Sequence, residues 1–188
     1  MRLISRVTGI LLHPAAEWQA VEPEPGHVEA LLPYALTLAL IPAATTFVSM
    51  SVIGVEMWGG GASRLGAVDG FLCAAFTYVL TLALIYISAA VQNALARTFD
   101  GEKNFDQALK LAVYSNAPYC VASALTIMPM LGFAGILGLL YGVYLNRLGS
   151  PVLMKVPQER SLIYAAAVFI IVFLIGLPLG MLQMLFLP

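Results

Sequence analysis

The chain has 188 residues, of which 61% are hydrophobic and 10% charged, with a formal net charge of −1 and a mean hydropathy of +0.91. Soluble domains carry about 25% charged residues, so this chain lacks the material for a water-facing surface. The composition excludes a soluble or nucleic-acid-binding domain and predicts an all-α, polytopic integral membrane protein.

Residues 1–29 read as a cytoplasmic or interfacial segment and not as a domain. At helical spacing Leu3, Ile4, Val7, Ile10 and Leu11 share one face, and Arg2, Ser5, Arg6, Gly9 and His13 lie opposite. A basic polar face opposite an aliphatic one predicts an amphipathic helix lying in the membrane interface. Packing of the same segment on the loops is the alternative. Pro14 suits the first turn of a second short helix, "PAAEWQAV", because its missing N–H costs little there. Trp18 is expected as an interfacial anchor. Arg6 interrupts the first apolar stretch and Pro14 follows it, so no cleavable signal is expected.

Residues 30–188 read as the membrane domain. A helix needs roughly 20 apolar residues to cross about 30 Å of hydrocarbon. Charge-free windows run from Ala30 to Val55, Gly70 to Ala96, Leu111 to Asn146 and Ser161 to Pro188. The third has 36 residues, about 54 Å as one helix, and Pro129 and Gly132 punctuate it. Two helices joined by a tight hairpin are expected there. The spans are then about 30–53, 68–95, 107–128, 131–148 and 162–186, with a re-entrant third and fourth pair as the alternative. Five passes place eight of the nine Lys and Arg residues on one side, leaving Arg64 on the other. By the positive-inside rule this predicts a cytoplasmic N-terminus and an extracytoplasmic C-terminus.

No acidic or basic side chain occupies the centre of a span, which argues against a proton relay or voltage sensor. His13 and His27 lack metal-ligand spacing, and no Gly-rich phosphate loop is present. The spans offer no Ser or Cys nucleophile with a base beside it, so no enzymatic activity, metal or cofactor is expected. They do carry hydroxyl and amide stripes: Asn116, Tyr119, Ser123 and Thr126 on one helix, and Tyr78, Thr81, Ser88 and Gln92 on another. Such stripes should face each other inside the bundle, either as packing glue or as a polar path. Gly138-x-x-x-Gly142 and Gly176-x-x-x-Gly180 are small-residue motifs that allow close backbone approach. Pro118 frees a backbone carbonyl, and Tyr114, Ser115 and Asn116 are placed to support that break. Cys73 and Cys120 lie in apolar runs and are expected as buried free thiols.

Three stretches carry a family resemblance: "ILLHPAAEWQAV" (Ile10–Val21), "VYSNAPY" (Val113–Tyr119) and "YLNRLGSPVLMKVPQERSL" (Tyr144–Leu162). In order and spacing they resemble the bacterial branch of the Yip-domain family, five-span membrane proteins whose eukaryotic members interact with Rab GTPases. The last stretch, with Pro151, Lys155 and Pro157 in what reads as a loop, is the most specific. Val113 stands where the family commonly has Gly, and the eukaryotic D-L-Y-G-P element and long cytosolic N-terminal region are missing. The resemblance therefore implies the five-span fold and a bacterial inner membrane, but not a Rab-type GTPase partner. It leaves a scaffold that organises membrane or binds another membrane protein or a second copy. The alternative is a small transporter or channel subunit acting as an oligomer.

Overall fold

The structure is a computed structural model and describes residues 3–56 and 62–183. Arg2 and residues 184–186 of the expected last span lie outside the described residues, as do the side chains of Leu3 and Ile4. Among the described residues there are seven α-helices: α1 (Leu3–Leu12), α2 (Pro14–Val21), α3 (Val28–Phe47), α4 (Ala67–Leu95), α5 (Phe105–Ser123), α6 (Ala134–Leu153) and α7 (Ser161–Met181). A π-helical stretch, Val48–Ile53, prolongs α3, and Gly54 at φ 94° ends it. A two-residue antiparallel pair follows, with Val55 opposite Ser63.

Three of these rods are long and apolar enough to cross a membrane: Val28–Ile53, Ala67–Phe99 and Ser161–Met181, of 26, 33 and 21 residues. α5 and α6 are not among them. Their sequences carry Asp106, Lys110, Ser115 and Asn116, and Asn146 and Arg147, which dilute the apolar content. The physical reason such residues are tolerated in α5 is its position. Every residue from Ala108 to Ser115 is buried, and α5 packs on α3, α4 and α6. A helix enclosed on all sides by protein has little lipid to satisfy.

The turns are set by local chemistry. The Asn104 side chain accepts the Gln107 backbone N–H at 3.2 Å and opens α5. Asp100 and Lys155 take left-handed backbone conformations, at φ 58° and 54°, and reverse the chain after α4 and α6. The two turns meet where the Glu102 N–H donates to the Met154 carbonyl at 2.8 Å. The expected fourth span of 131–148 is displaced: α6 starts at Ala134 and runs through Pro151 to Leu153. Pro151 is therefore helical and not in a loop. The carbonyl it frees is that of Arg147, and the Ser150 hydroxyl donates to it at 3.4 Å, which helps the helix continue past the proline.

Candidate functional site

The polar stripes of α4 and α5 converge on a cavity of about 440 Å³ between α4, α5, α6 and α7. Thr77, Thr81 and Ser88 come from α4, Ser115, Asn116 and Tyr119 from α5, and Asn146 from α6. Tyr78, Gln92, Ser123 and Thr126 of the same stripes are not in its wall. Most of the hydroxyls and amides turn back on their own helix. Thr77 donates to the Cys73 carbonyl at 3.0 Å, Thr81 to Thr77 at 2.8 Å, and the Asn116 amide to Ala112 at 2.9 Å. One bond crosses between helices in this wall, Thr46 to Thr77 at 3.3 Å. Among the described residues, two buried polar atoms of this wall have no protein partner: Ser115 Oγ and Asn146 Oδ1, in residues only 7% and 5% exposed. The α7 side of the wall is aliphatic and aromatic, with Phe169, Val172 and Phe173 ahead of Gly176 and Gly180.

The residues singled out in the sequence fall into different places. Tyr114 is buried edge-on between Tyr34 and Trp18, at centroid distances of 4.9 and 6.2 Å. The Asn116 amide serves the Ala112 carbonyl, two residues before the Tyr114 carbonyl that Pro118 frees. Gly138 and Gly142 form the crossing of α6 with α5. A Cβ at Gly138 would lie 2.9 Å from the Pro118 carbonyl oxygen, and one at Gly142 would lie 2.6 Å from that of Ser115. Lys155 is exposed and pairs with Glu22 across the same end of the bundle; Pro157 is exposed nearby. These residues do not form one site. Tyr114 belongs to the core under the N-terminal segment, Ser115 and Asn116 face the cavity, and Lys155 and Pro157 belong to the α6–α7 turn.

The N-terminal segment departs most from its amphipathic reading. Arg6, expected on the water-facing side, is 5% exposed and pairs with both Glu17 and Glu24. Burial works against its charge, but the hydrogen bond to Glu17 and the two carboxylates outweigh that, and its pKa lies above the ordinary guanidinium value. Trp18, expected as an interfacial anchor, is fully buried against Tyr114 and beside Gly149. Lys110 is 1% exposed and donates to the Val21 and Glu22 carbonyls at 3.1 and 2.9 Å. These carbonyls lie at the C-terminal end of α2, where unsatisfied acceptors favour a cation. α1 and α2 are thus clamped onto α5 and α6. Sequence reasoning missed Lys110 and Asn146. The available signal for Lys110 was its setting, a cation flanked by Ala108, Leu109, Leu111 and Ala112 on the face of a helix.

Among the described residues no group of three or more His, Cys, Asp or Glu side chains converges to hold a metal. The sequence matches the Yip1 domain family over residues 8–180. It is similar to inner membrane protein YohC of Escherichia coli K12 and to its namesake from E. coli O6:H1. Each is 23% identical over 168 residues, a match covering 87% of this chain and 86% of the relative. No solved structure matches the chain significantly. A match running from within α1 nearly to the end of α7, on a bundle of apolar helices, is decisive: the chain belongs to the Yip1 domain family.

Proposed function

We propose that the chain crosses a bacterial inner membrane five times and acts without catalysis, as a scaffold that organises lipid or holds another membrane protein or a second copy of itself. The observation that carries the five-pass reading is the antiparallel course of α5 and α6 within the bundle. The start of α5 is tied to the end of α6 through Glu102 and Met154, and the glycines of α6 meet the second half of α5. Helices of 19 and 20 residues reach about 29–30 Å at 1.5 Å per residue, close to the hydrocarbon thickness. The tip of this hairpin is apolar, with Met130 90% exposed and Met128 and Phe133 also exposed. Cations collect at the opposite end, where Arg6, Lys110, Lys155 and Arg160 are held by carboxylates or carbonyls. The scaffold reading draws on the outward apolar faces of α6 and α7, including Ile136, Leu140, Ile163 and Ile170. The E. coli relative, an inner membrane protein by name, supports the location.

A phosphatase reporter fused after Pro188 should be active outside the cytoplasm, and one inserted between Asp100 and Asn104 should be silent. Activity at both sites or the reverse pattern removes the five-pass arrangement. The cavity favours a second reading, a transporter subunit. Measurement of glycerol and small-sugar flux in reconstituted vesicles decides between them: the scaffold gives leakage equal to protein-free vesicles, and saturable flux rejects it.

A further inference from the structure

The cavity has unpartnered polar atoms at Ser115 and Asn146, a mostly apolar α7 wall that ends at Gln183, and no acidic or basic residue in its wall. Its α7 wall recurs every three or four residues from Ala165 to Gln183, which is ~27 Å of helix at 1.5 Å per residue. A volume of about 440 Å³ drawn out over that length is narrow. It suits one extended chain better than a compact solute, and it falls within the range of sites that hold small molecules, roughly 300–1,000 Å³. On α7, Gly180 leaves the space open, while Gly176 lies against the Leu84 side chain. A Cβ at Gly180 would meet nothing within 4 Å, whereas the other glycine pair, on α6, is closed against α5 backbone.

The polar end is unfinished. Ser115 Oγ and Asn146 Oδ1 are buried and unpartnered, and buried polar atoms without a partner are costly. A hydroxyl can donate to the amide oxygen while it accepts from the serine. Water could complete the same two atoms, but not the length lined by Phe169, Val172 and Phe173, since apolar cavities stay dry. An ionised head is disfavoured for another reason. Ser115 lies ten residues into α5, ~15 Å from its start, and a charge at that depth would lack a counter-ion in the wall.

We propose that this cavity binds a neutral single-chain amphiphile, with its hydroxyl-bearing head at Ser115 and Asn146 and its chain along α7 toward Gly180. The proposal goes beyond the scaffold reading and fails separately from it, because neither pass number nor solute flux enters its test. The probe is a diazirine-bearing monoacylglycerol, with the diazirine in its chain, added to the full chain in phosphatidylcholine nanodiscs. Cross-links should map to the inward face of α7, at Phe169, Phe173 and Gly176. Excess monoolein should compete for them, and lysophosphatidylglycerol, which carries a charged head, should not. Ser115→Ala with Asn146→Leu should lower labelling about tenfold, the worth of one or two hydrogen bonds. Gly180→Phe starts its side chain where a Cβ has no neighbour within 4 Å, and the variant should keep its thermal stability and lose labelling to a similar extent. Labelling confined to outward residues such as Ile170 and Leu174 would overturn the proposal. So would equal competition by the charged lipid, or a folded Gly180→Phe variant that labels as the wild type does.

Discussion

The two glycine pairs make a paired test of the packing. Adding one methyl at Gly138 puts a Cβ 2.8 Å from Ala122 Cβ, 2.9 Å from the Pro118 carbonyl oxygen and 2.9 Å from Tyr119 Cα. Carbon atoms in contact prefer about 3.5–4.0 Å, so α6 must move away from α5 by several tenths of an ångström. Two of the three obstacles are backbone atoms and cannot turn aside. Overpacking of this kind costs roughly 1–3 kcal/mol. Alanine also recovers up to about 1 kcal/mol of helix propensity relative to glycine, leaving a net loss of about 0–2 kcal/mol. Gly142→Ala, aimed at the Ser115 carbonyl oxygen at 2.6 Å, should lose a similar amount. Gly180→Ala meets nothing within 4 Å and keeps the propensity gain, so it should be neutral or stabilised by up to about 1 kcal/mol. Thermal unfolding in one detergent, followed by far-ultraviolet circular dichroism, would rank Gly180→Ala at or above wild type and wild type above Gly138→Ala and Gly142→Ala. Equal effects at 138 and 180 would refute the assignment of Gly138 to a helix crossing and of Gly180 to an open wall.

Lys110→Met should release the end of α2. Hydrogen bonds to charged groups are worth ~1.5–3 kcal/mol, and the change should show as faster protease cleavage between Glu22 and Gly26; unchanged cleavage would deny Lys110 its clamping role. Asn116→Leu removes a single bond to its own helix, so stability should fall by no more than about 1 kcal/mol on the scale of intramembrane hydrogen bonds. A larger loss in thermal unfolding would mean that Asn116 supports more than the Ala112 carbonyl.

The helix boundaries were largely legible because apolar length and proline placement are properties of contiguous sequence. Windows starting at Ala30, Gly70 and Ser161 correspond to α3, α4 and α7. The hairpin at Pro129–Leu131 falls where "MPMLG" breaks the long window. The N-terminal segment was not legible in the same way. A helical wheel sends every cation toward water, but Arg6 finds its carboxylates 11 and 18 residues further along the chain, beyond any periodicity. Trp18 was read by the habit of aromatic side chains at interfaces, yet it fills the space above Gly149. Pro151 was read as a loop signal, and the helix continues because Ser150 reaches the carbonyl that the proline frees. Of the cavity, the converging stripes were visible, but the space was not. It depends on Asn146 and the inner face of α7, whose distance from α4 no local pattern encodes.

The polar cluster beside Pro118 is explained by what surrounds it. Hydropathy treats each helix as if it met lipid on every side, and α5 meets α3, α4 and α6 instead. A helix in that position can keep Ser115 and Asn116, because its neighbours exclude lipid and its own carbonyls accept part of the hydrogen bonding. The same enclosure constrains α6. To come close enough to shield the α5 backbone at Ser115 and Pro118, it must present glycine at 142 and 138. α7 has no such partner opposite Gly180, and the same four-residue spacing there sets Gly176 against the Leu84 side chain and leaves a gap at Gly180. The small-residue motif therefore fixes how closely another chain segment can approach, while the fold decides whether a segment does. In this bundle Gly142 and Gly180 line the same cavity, in which the polar atoms of Ser115 and Asn146 are left unpartnered.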